Sequence, residues 1–156
     1  MPGKRKPATP SPLEAHLGFW LRFVSNHVSA RFQKLLQDEG ISVTEWVALR
    51  TLLGPEGTTH AALILALGMS KGAASKVISR LQDKGLAERW LADGRQREQV
   101  LVLTAAGQAL VPRLAALADA NDAHFFGHLT ATEREGLMAL MQELVQHHQL
   151  TETPTH

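Results

Sequence analysis

The sequence predicts a mainly α-helical fold with one small β-hairpin, and two observations lead to this class. Through most of the chain, apolar residues recur at three- and four-residue spacing, which is the period of an amphipathic helix. Residues 86–91 (LAERWL) and 99–103 (QVLVL) are instead short runs of strand-forming residues, and they flank the turn signal Asp93-Gly94. A chain of 156 residues is long enough to bury one core, so we expect one compact α+β domain.

Composition narrows the class of protein. With 44% hydrophobic and 20% charged residues, the chain is typical of a globular protein. It has no cysteine, which excludes disulfides, thiolate metal sites and thiol redox sensing. No apolar run reaches the ~18 residues of a membrane span, and the N-terminus lacks the apolar core of a signal peptide. These features predict a cytoplasmic protein without a membrane partner.

Charge is unevenly distributed, although the net charge is only +1. Residues 60–100 contain seven Lys or Arg against four Asp or Glu, a balance of +3. Residues 119–156 contain one Arg against six acids, a balance of −5. A local basic excess of this kind is the electrostatic footprint of a surface that binds nucleic acid.

Residues 70–85 (SKGAASKVISRLQDKG) lie in the basic segment and predict a short helix with one buried face. Ser70 is a suitable N-cap, and Gly85 is a suitable C-terminal stop. The apolar residues share one helical face: Ala74, Val77, Ile78 and Leu81. The opposite face is small and basic: Lys71, Ser75, Lys76 and Ser79, with Arg80 on its flank. Because Gly72 and Ala73 leave the first turn almost bare, a bulky partner could approach the backbone closely.

A second short helix, TTHAALILALG, lies just upstream and ends at Gly68. Two short helices joined by a glycine turn are typical of a helix-turn-helix, whose second helix lies in the DNA major groove. The hairpin that follows would be its wing, with Arg95 and Arg97 placed to reach the minor groove or phosphates. The alternative is an ordinary surface helix with solvated lysines, followed by a solvated hairpin tip. A winged helix-turn-helix accounts for both features together.

Capping signals delimit the helices on either side of this module. The capping box at 11–14, with proline at the first helical position, predicts a helix to about Glu39, with Gly40 as its stop. A second capping box at 42–45 predicts a helix that ends near Leu53.

Two more helices are predicted after the hairpin. Thr104 caps a helix that runs to Gly127, and Pro112 inside it is expected to cause a kink. The last helix opens with a capping box at 130–133 and ends around Gln149.

The first helix has a broader apolar stripe than packing on one small module requires. This breadth predicts contact with a second subunit, and core packing in a monomer is the alternative. Residues 11–40 and 104–150 are therefore interpreted as a helical dimerisation region, and residues 41–103 as the winged helix-turn-helix. Residues 1–10, which are basic and proline-rich, are interpreted as a disordered arm.

The order of these elements resembles that of the multiple-antibiotic-resistance regulator (MarR) family. The segments ISVTEWVALRTL, LGMSKGAASKVISRLQDKGLAER and REQVLVLTAAG carry the resemblance, which covers about residues 12–148. It implies a homodimer with interdigitated terminal helices, whose two winged modules bind a pseudo-palindromic double-stranded DNA operator. It also implies a transcriptional repressor that is released from DNA by a small aromatic or anionic effector.

The resemblance also assigns binding residues. Residues 70–76 match the start of the family's recognition helix, and Arg97 matches its wing-tip arginine. Arg95 stands where the family commonly has an acid, and Asp93 lies two positions earlier, so either arginine is a candidate for the minor groove. The predicted DNA-binding residues are Ser70, Lys71, Gly72, Ala73, Ser75, Lys76, Arg80, Arg95 and Arg97.

The family's effector site lies between the dimerisation helices and the winged module. Trp20, His27 and Trp46 come from helices that would border this gap, and Arg89 matches a family position that can meet a carboxylate. Aromatic walls with a cationic group suit a phenolic acid or a similar anion. The alternative is that both tryptophans belong to the core and that Arg89 pairs internally.

No enzymatic or metal chemistry can be assembled from the residue spacings. A glycine-rich phosphate loop, HExxH and G-x-S-x-G are all absent. His124 and His128 have the spacing of a helical metal pair, but Gly127 between them is expected to end the helix. We therefore predict a protein that is not an enzyme and has no cofactor or metal. The remaining alternative to a DNA-binding regulator is a helical dimerisation or adaptor protein whose winged module binds protein.

Overall fold

Six helices and a three-stranded sheet make up residues 8–54, 56–91 and 99–151, the parts of the chain that the computed structural model describes. The helices are α1 (Leu17–Asp38), α2 (Val43–Leu52), α3 (His60–Leu67), α4 (Lys71–Asp83), α5 (Ala105–Phe126) and α6 (Ala131–His147). The strands are β1 (Thr58–Thr59), β2 (Ala87–Leu91) and β3 (Gln99–Leu103). The predicted class, mainly helical with a small hairpin, is confirmed.

The sheet contains one strand more than the predicted hairpin. β2 and β3 pair antiparallel, and β1 pairs with the other edge of β3, which gives the order β1-β3-β2. Gly57 precedes β1 with φ 71°, and a Cβ atom there would lie 2.5 Å from the carbonyl oxygen of Leu101. The predicted hairpin turn and the wing arginines, Arg95 and Arg97, lie outside the described residues.

Hydroxyl caps begin five of the six helices. Each capping oxygen accepts a hydrogen bond from the backbone N–H three residues later: Ser42, Thr59, Ser70, Thr104 and Thr130. At the start of α6, the Glu133 carboxylate also accepts from the Thr130 backbone N–H, which completes the predicted capping box. These bonds satisfy N–H groups that a helix start otherwise leaves without partners.

The predicted helix ends are also observed. Gly40, Gly68 and Gly85 follow α1, α3 and α4 with φ of 72°, 61° and 70°, a conformation that glycine adopts without steric cost. α5 ends directly before Gly127. Pro112 lies inside α5, and the kink expected there stays a prediction.

Two predicted capping boxes are corrected by the structure. The box at 11–14 is wrong, because the chain forms a 3-10 turn, Leu13–Ala15, and becomes extended before α1 begins. The Trp20 indole N–H donates to the Glu14 carbonyl oxygen at 2.9 Å, so the turn packs back against the helix instead of continuing it. In the second box, the hydroxyl cap is present, but the Glu45 side chain is turned inward.

The core lies under the winged module and extends between α1 and α5. Its largest fully buried side chains come from α1 to α5 and β3: Leu36, Leu49, Leu52, Leu63, Leu67, Ile78, Leu81, Leu101 and Leu114. Leu36, near the end of α1, is the one buried residue of that helix, and α6 has none. The terminal helices therefore contribute little to this core.

A buried polar contact fixes α1 against α5. Asn121 is only 4% exposed; its Oδ1 accepts from the Arg31 guanidinium at 3.0 Å, and its Nδ2 donates to the Val28 carbonyl oxygen at 3.1 Å. A buried amide without partners costs about 1–3 kcal/mol. These bonds therefore favour one register of the two helices over others.

Apolar side chains along both terminal helices stay exposed in the single chain. On α1 they are Leu17, Trp20, Leu21, Phe23 and Val24; on α6 they are Leu137, Met138, Leu140, Leu144 and Val145. Exposed apolar residues are common singly, but a series along one surface is typical of a protein–protein contact.

Gly107 provides a test of the packing between α5 and the segment that precedes β2. A Cβ atom at Gly107 would lie 2.1 Å from the Leu86 carbonyl oxygen. Gly72, also in the first turn of a helix, would place its Cβ more than 4 Å from any neighbour. We expect Gly107→Ala to lower the free energy of unfolding by about 1–3 kcal/mol through overpacking. Gly72→Ala should leave it unchanged or raise it by up to about 1 kcal/mol, because Ala is the better helix former.

Urea unfolding of both variants measures this difference. If the Gly107→Ala protein were as stable as the unaltered chain, the close approach of α5 to the segment that precedes β2 would be contradicted.

Candidate nucleic-acid interface

α3 and α4 have the geometry of a helix-turn-helix. They meet at 107°, inside the range of about 90–120° typical of that motif, and the left-handed Gly68 makes the turn between them. No single helix among the described residues is long and apolar enough to cross a membrane. α3 and α4 reach that length and apolarity only as a pair, across this sharp bend.

α4 is strongly two-sided. Its inward residues are all buried, as predicted: Ala74, Val77, Ile78 and Leu81. The side chains of Lys71, Lys76 and Arg80 are not buried, and the single acid of the helix, Asp83, is its last residue. The outward side of α4 is therefore basic along most of its length.

The first turn of α4 is open and rich in hydrogen-bond donors. Ser70 and Gly72 are exposed, and a Cβ atom at Gly72 would have no neighbour within 4 Å. The Ser70 hydroxyl takes one backbone N–H, that of Ala73. The other N–H groups of a first turn, together with the helix dipole, favour an anion such as a phosphate group.

Ala73 and Ser75 are half-buried rather than fully exposed. The sequence predicted both as DNA-binding residues but did not identify the neighbour of Ser75. His60, the first residue of α3, has its Nε2 3.4 Å from the Ser75 Oγ. In the sequence, His60 is recognisable only as the residue after a capping threonine. That local position does not predict a contact with a residue fifteen positions away.

The structure thus brings seven of the nine predicted DNA-binding residues onto one short helix and its cap. The remaining two, Arg95 and Arg97, fall in the undescribed part of the hairpin, and their roles stay predictions. β2 and β3, which would carry the wing, are paired from Ala87 opposite Leu103 to Leu91 opposite Gln99.

Two of the predicted effector residues lie in an aromatic row on α1. Trp20 and His27 are linked through Phe23, whose ring centroid is 6.4 Å from that of Trp20 and 4.8 Å from that of His27. The His27 Nδ1–H donates to the Phe23 carbonyl oxygen at 2.8 Å, which leaves Nε2 as the ring nitrogen available to a ligand.

The other two predicted effector residues have different neighbours. Trp46 is half-buried, with its ring edge-on to Phe32 at 6.3 Å and the Arg50 guanidinium 5.8 Å above it. Arg89 is exposed on β2 and donates to the Gln99 side chain at 3.3 Å. In this single chain the four candidates therefore belong to separate clusters, and their shared role stays a prediction.

A groove of about 490 Å³ lies elsewhere, between the end of α1 and the start of α2. It is lined by Gln33, Gln37, Gly40, Ile41, Ser42, Val43, Thr44, Glu45 and Lys84, and by none of the predicted effector residues. Within the described ranges, no group of three or more His, Asp or Glu side chains could hold a metal ion.

Comparison with known proteins matches this geometry to one family. Residues 39–98 match the profile described as the MarR family. The transcriptional regulator HosA of Escherichia coli is 26% identical over 125 residues, which cover 80% of this chain and 91% of HosA. The HTH-type transcriptional repressor Rv2887 of Mycobacterium tuberculosis is 28% identical over 131 residues, covering 84% and 94% of the two chains.

Solved structures of related proteins share the fold. CouR from Rhodococcus jostii RHA1, bound to p-coumaroyl-CoA, has a TM-score of 0.74 at 21% identity, covering 86% of this chain and 95% of CouR. Rv2887 in complex with DNA has a TM-score of 0.68 at 27% identity, covering 86% and 98%. Rv2887 with p-aminosalicylic acid has a TM-score of 0.65 at 28% identity, covering 83% and 98%. Taken together, the family profile over residues 39–98, these relatives and the shared fold make the chain similar to the transcriptional regulators of the MarR family.

Proposed function

We propose that the protein is a homodimeric, sequence-specific DNA-binding repressor whose operator is released by a small aromatic carboxylate. The observation that carries the DNA assignment is the two-sided α4, which buries an apolar face and presents Lys71, Lys76 and Arg80 on the other. Its outward cations and open first turn suit phosphate contacts, and its half-buried small residues suit close approach to base edges. The relative Rv2887 is a repressor and has been solved with DNA, which supports the same activity here.

The dimer is proposed from the exposed apolar residues on α1 and α6. A dimer through the terminal helices would remove this surface from water at a gain of about 25 cal/mol for each Å² of apolar area. Closed two-fold symmetry is also the usual partner of a pseudo-palindromic operator, because each subunit then meets an equivalent half-site.

The effector is proposed from the aromatic and cationic residues at the border of the two regions. In the single chain these residues form no shared site, so the proposal requires the partner subunit or a ligand to complete one. The residues are Trp20, His27, Trp46 and Arg89. Rv2887 has been solved with p-aminosalicylic acid, an aromatic carboxylate, which makes that molecule a suitable first probe. The two recognition helices can be arranged so that they fit DNA or so that they do not. A ligand of this kind releases DNA only if it binds the arrangement that does not fit DNA more tightly than the one that does.

The DNA proposal is tested by charge removal on α4. Lys71→Ala/Lys76→Ala should weaken binding to DNA fragments that the unaltered protein selects from a random pool. Removing one phosphate contact lowers the slope of log K against log salt by about 0.9, so removing two from each subunit of a dimer lowers it by about 3.6. Lys34→Ala, an exposed lysine of α1, is the matched control and should leave the slope unchanged.

Fluorescence anisotropy across a salt series gives both slopes. An unchanged slope in the α4 variant would refute the proposed contacts. A protein-binding adaptor would show no salt-dependent DNA binding even as the unaltered chain.

The dimer proposal is tested with two equally exposed leucines. Leu17, at the start of α1, and Leu65, on α3, are each 83% exposed in the single chain. Leu17→Asp should shift the protein toward monomer, because a carboxylate would be buried in the subunit contact without a partner. Leu65→Asp should not change the oligomeric state. Sedimentation velocity at micromolar concentration distinguishes the two, and a monomeric unaltered chain would refute the proposal.

The effector proposal is tested by p-aminosalicylic acid and related phenolic acids. We expect these ligands to release operator DNA from the unaltered protein and to raise its thermal stability, since a ligand that binds only the folded state stabilises it. Arg89→Ala should blunt the release by about tenfold in ligand concentration while keeping operator affinity, because the carboxylate loses its cation. Arg113→Ala removes another exposed arginine and is the control. If no ligand in the panel changes either measurement, the effector proposal fails, and the DNA proposal stands on its own test.

A further inference from the structure

The C-terminal end of α4 is held by a lysine that is not among the predicted DNA-binding residues. Lys84 directly follows α4, and its Nζ donates to the Glu45 carboxylate at 2.5 Å and to the Gly40 carbonyl oxygen at 2.6 Å. Glu45 belongs to the first turn of α2, and Gly40 lies just after the end of α1. One ammonium group therefore joins α4 to two other helices.

Burial makes this contact demanding. Glu45 is only 3% exposed, whereas the Lys84 side chain is 38% exposed and lies over it from the groove side. A buried carboxylate without a partner is strongly unfavourable, so Glu45 holds the ammonium group in place. The ammonium group is in turn placed where the end of α1 presents a carbonyl oxygen.

A second set of bonds holds the same end of α4 through residues that follow it in the sequence. The Thr104 hydroxyl, which caps α5, donates to the Gly85 carbonyl oxygen at 2.6 Å. The Thr104 backbone N–H donates to the Leu86 carbonyl oxygen at 3.0 Å. Residues 84–86 are thus bonded both to the end of α1 and to the start of α5, the two long helices of the proposed dimerisation region.

The position of this junction matters because of the length of α4. A helix of 13 residues is about 20 Å long, so Lys84 lies far from the first turn, where recognition helices contact bases. Because the displacement grows with distance from the held end, even a small tilt of α4 moves its first turn noticeably. Binding geometries tolerate errors of only about 0.5 Å.

We propose that Lys84 is a positioning residue for DNA recognition: through Glu45 and Gly40 it fixes the angle at which α4 presents its basic face, without touching DNA. This inference rests on the proposed DNA-binding function. It distinguishes Lys84 from Lys71 and Lys76, whose charge is proposed to contact the phosphates directly.

The test replaces the ion pair by an apolar pair. Lys84→Met alone leaves the Glu45 carboxylate buried without a partner and should lower stability. Glu45→Met/Lys84→Met removes both charges, and such a swap of a buried ion pair restores stability in other proteins. The double variant lacks the bond to the Gly40 carbonyl oxygen. We therefore expect it to unfold at nearly the same urea concentration as the unaltered protein but to bind the selected operator at least tenfold more weakly.

Two further measurements separate positioning from other roles. Affinity for non-specific DNA should stay within about twofold, because backbone contacts carry no sequence information. The salt slope should change by less than about 0.9, because no phosphate contact is removed. Operator affinity equal to that of the unaltered protein would overturn the proposal. A slope lowered by about 1.8 would overturn it as well, because Lys84 would then be a phosphate contact in each subunit.

The neighbouring ion pair supplies the matched control. Arg113 on α5 and Glu39, which follows α1, lie 2.5 Å apart, next to Gly40, and this pair joins α5 to the end of α1 rather than to α4. Glu39→Met/Arg113→Met should leave operator affinity unchanged, and an equal fall in affinity there would overturn a specific role for Lys84.

If the Met pair at 45 and 84 does not fold, Glu45→Gln/Lys84→Gln replaces it. The shorter amide at position 84 keeps a polar pair but does not reach Gly40, so the same fall in operator affinity is expected. Absence of DNA binding by the unaltered protein would refute the proposed function itself, which keeps the two failures distinguishable.

Discussion

The one-sided burial of α4 is the constraint on which the helix-turn-helix depends. Val77, Ile78 and Leu81 are almost fully buried, and each such side chain contributes about 1.5–3 kcal/mol when it leaves water. Rotating the helix about its own axis would expose these side chains. It would also carry Lys76 or Arg80 into the core without a partner, which costs more free energy. The outward basic face is therefore a consequence of core packing, not a separate feature.

Burial of one face fixes the rotation of α4 about its own axis but not the direction in which the helix points. The polar contacts at its C-terminal end restrict that direction. Lys84 donates hydrogen bonds to the start of α2 and to the end of α1. Thr104 donates to Gly85 and Leu86, the two residues after Lys84. Such bonds are directional, so they restrict tilt in a way that apolar contact does not. Asn121 plays the equivalent part between α1 and α5, where it fixes register.

The terminal helices show what the single chain leaves incomplete. α6 contains no buried residue, and the first half of α1 carries a row of exposed aromatic and aliphatic side chains. The proposed effector residues Trp20 and His27 lie in that same row. Subunit contact and effector binding would thus draw on one surface, which links the two proposals physically.

The sequence by itself determined the features that depend on bonds within three or four residues. Hydroxyl caps such as Ser70, stops such as Gly85 and the buried face of α4 follow from local periodicity, so all were predictable. β1 was not, because two residues are too few to show an alternating pattern.

Only the tertiary structure decided the contacts between distant residues. The Glu45–Lys84 pair joins groups 39 residues apart, and Asn121 meets Arg31 across 90. In the sequence, Glu45 carried a capping signal that the contact with Lys84 overrode, and the signal at 11–14 gave way to a turn bonded by Trp20. Local propensities are worth about 1 kcal/mol, whereas a buried charge without its partner costs several, so the long-range contact prevails.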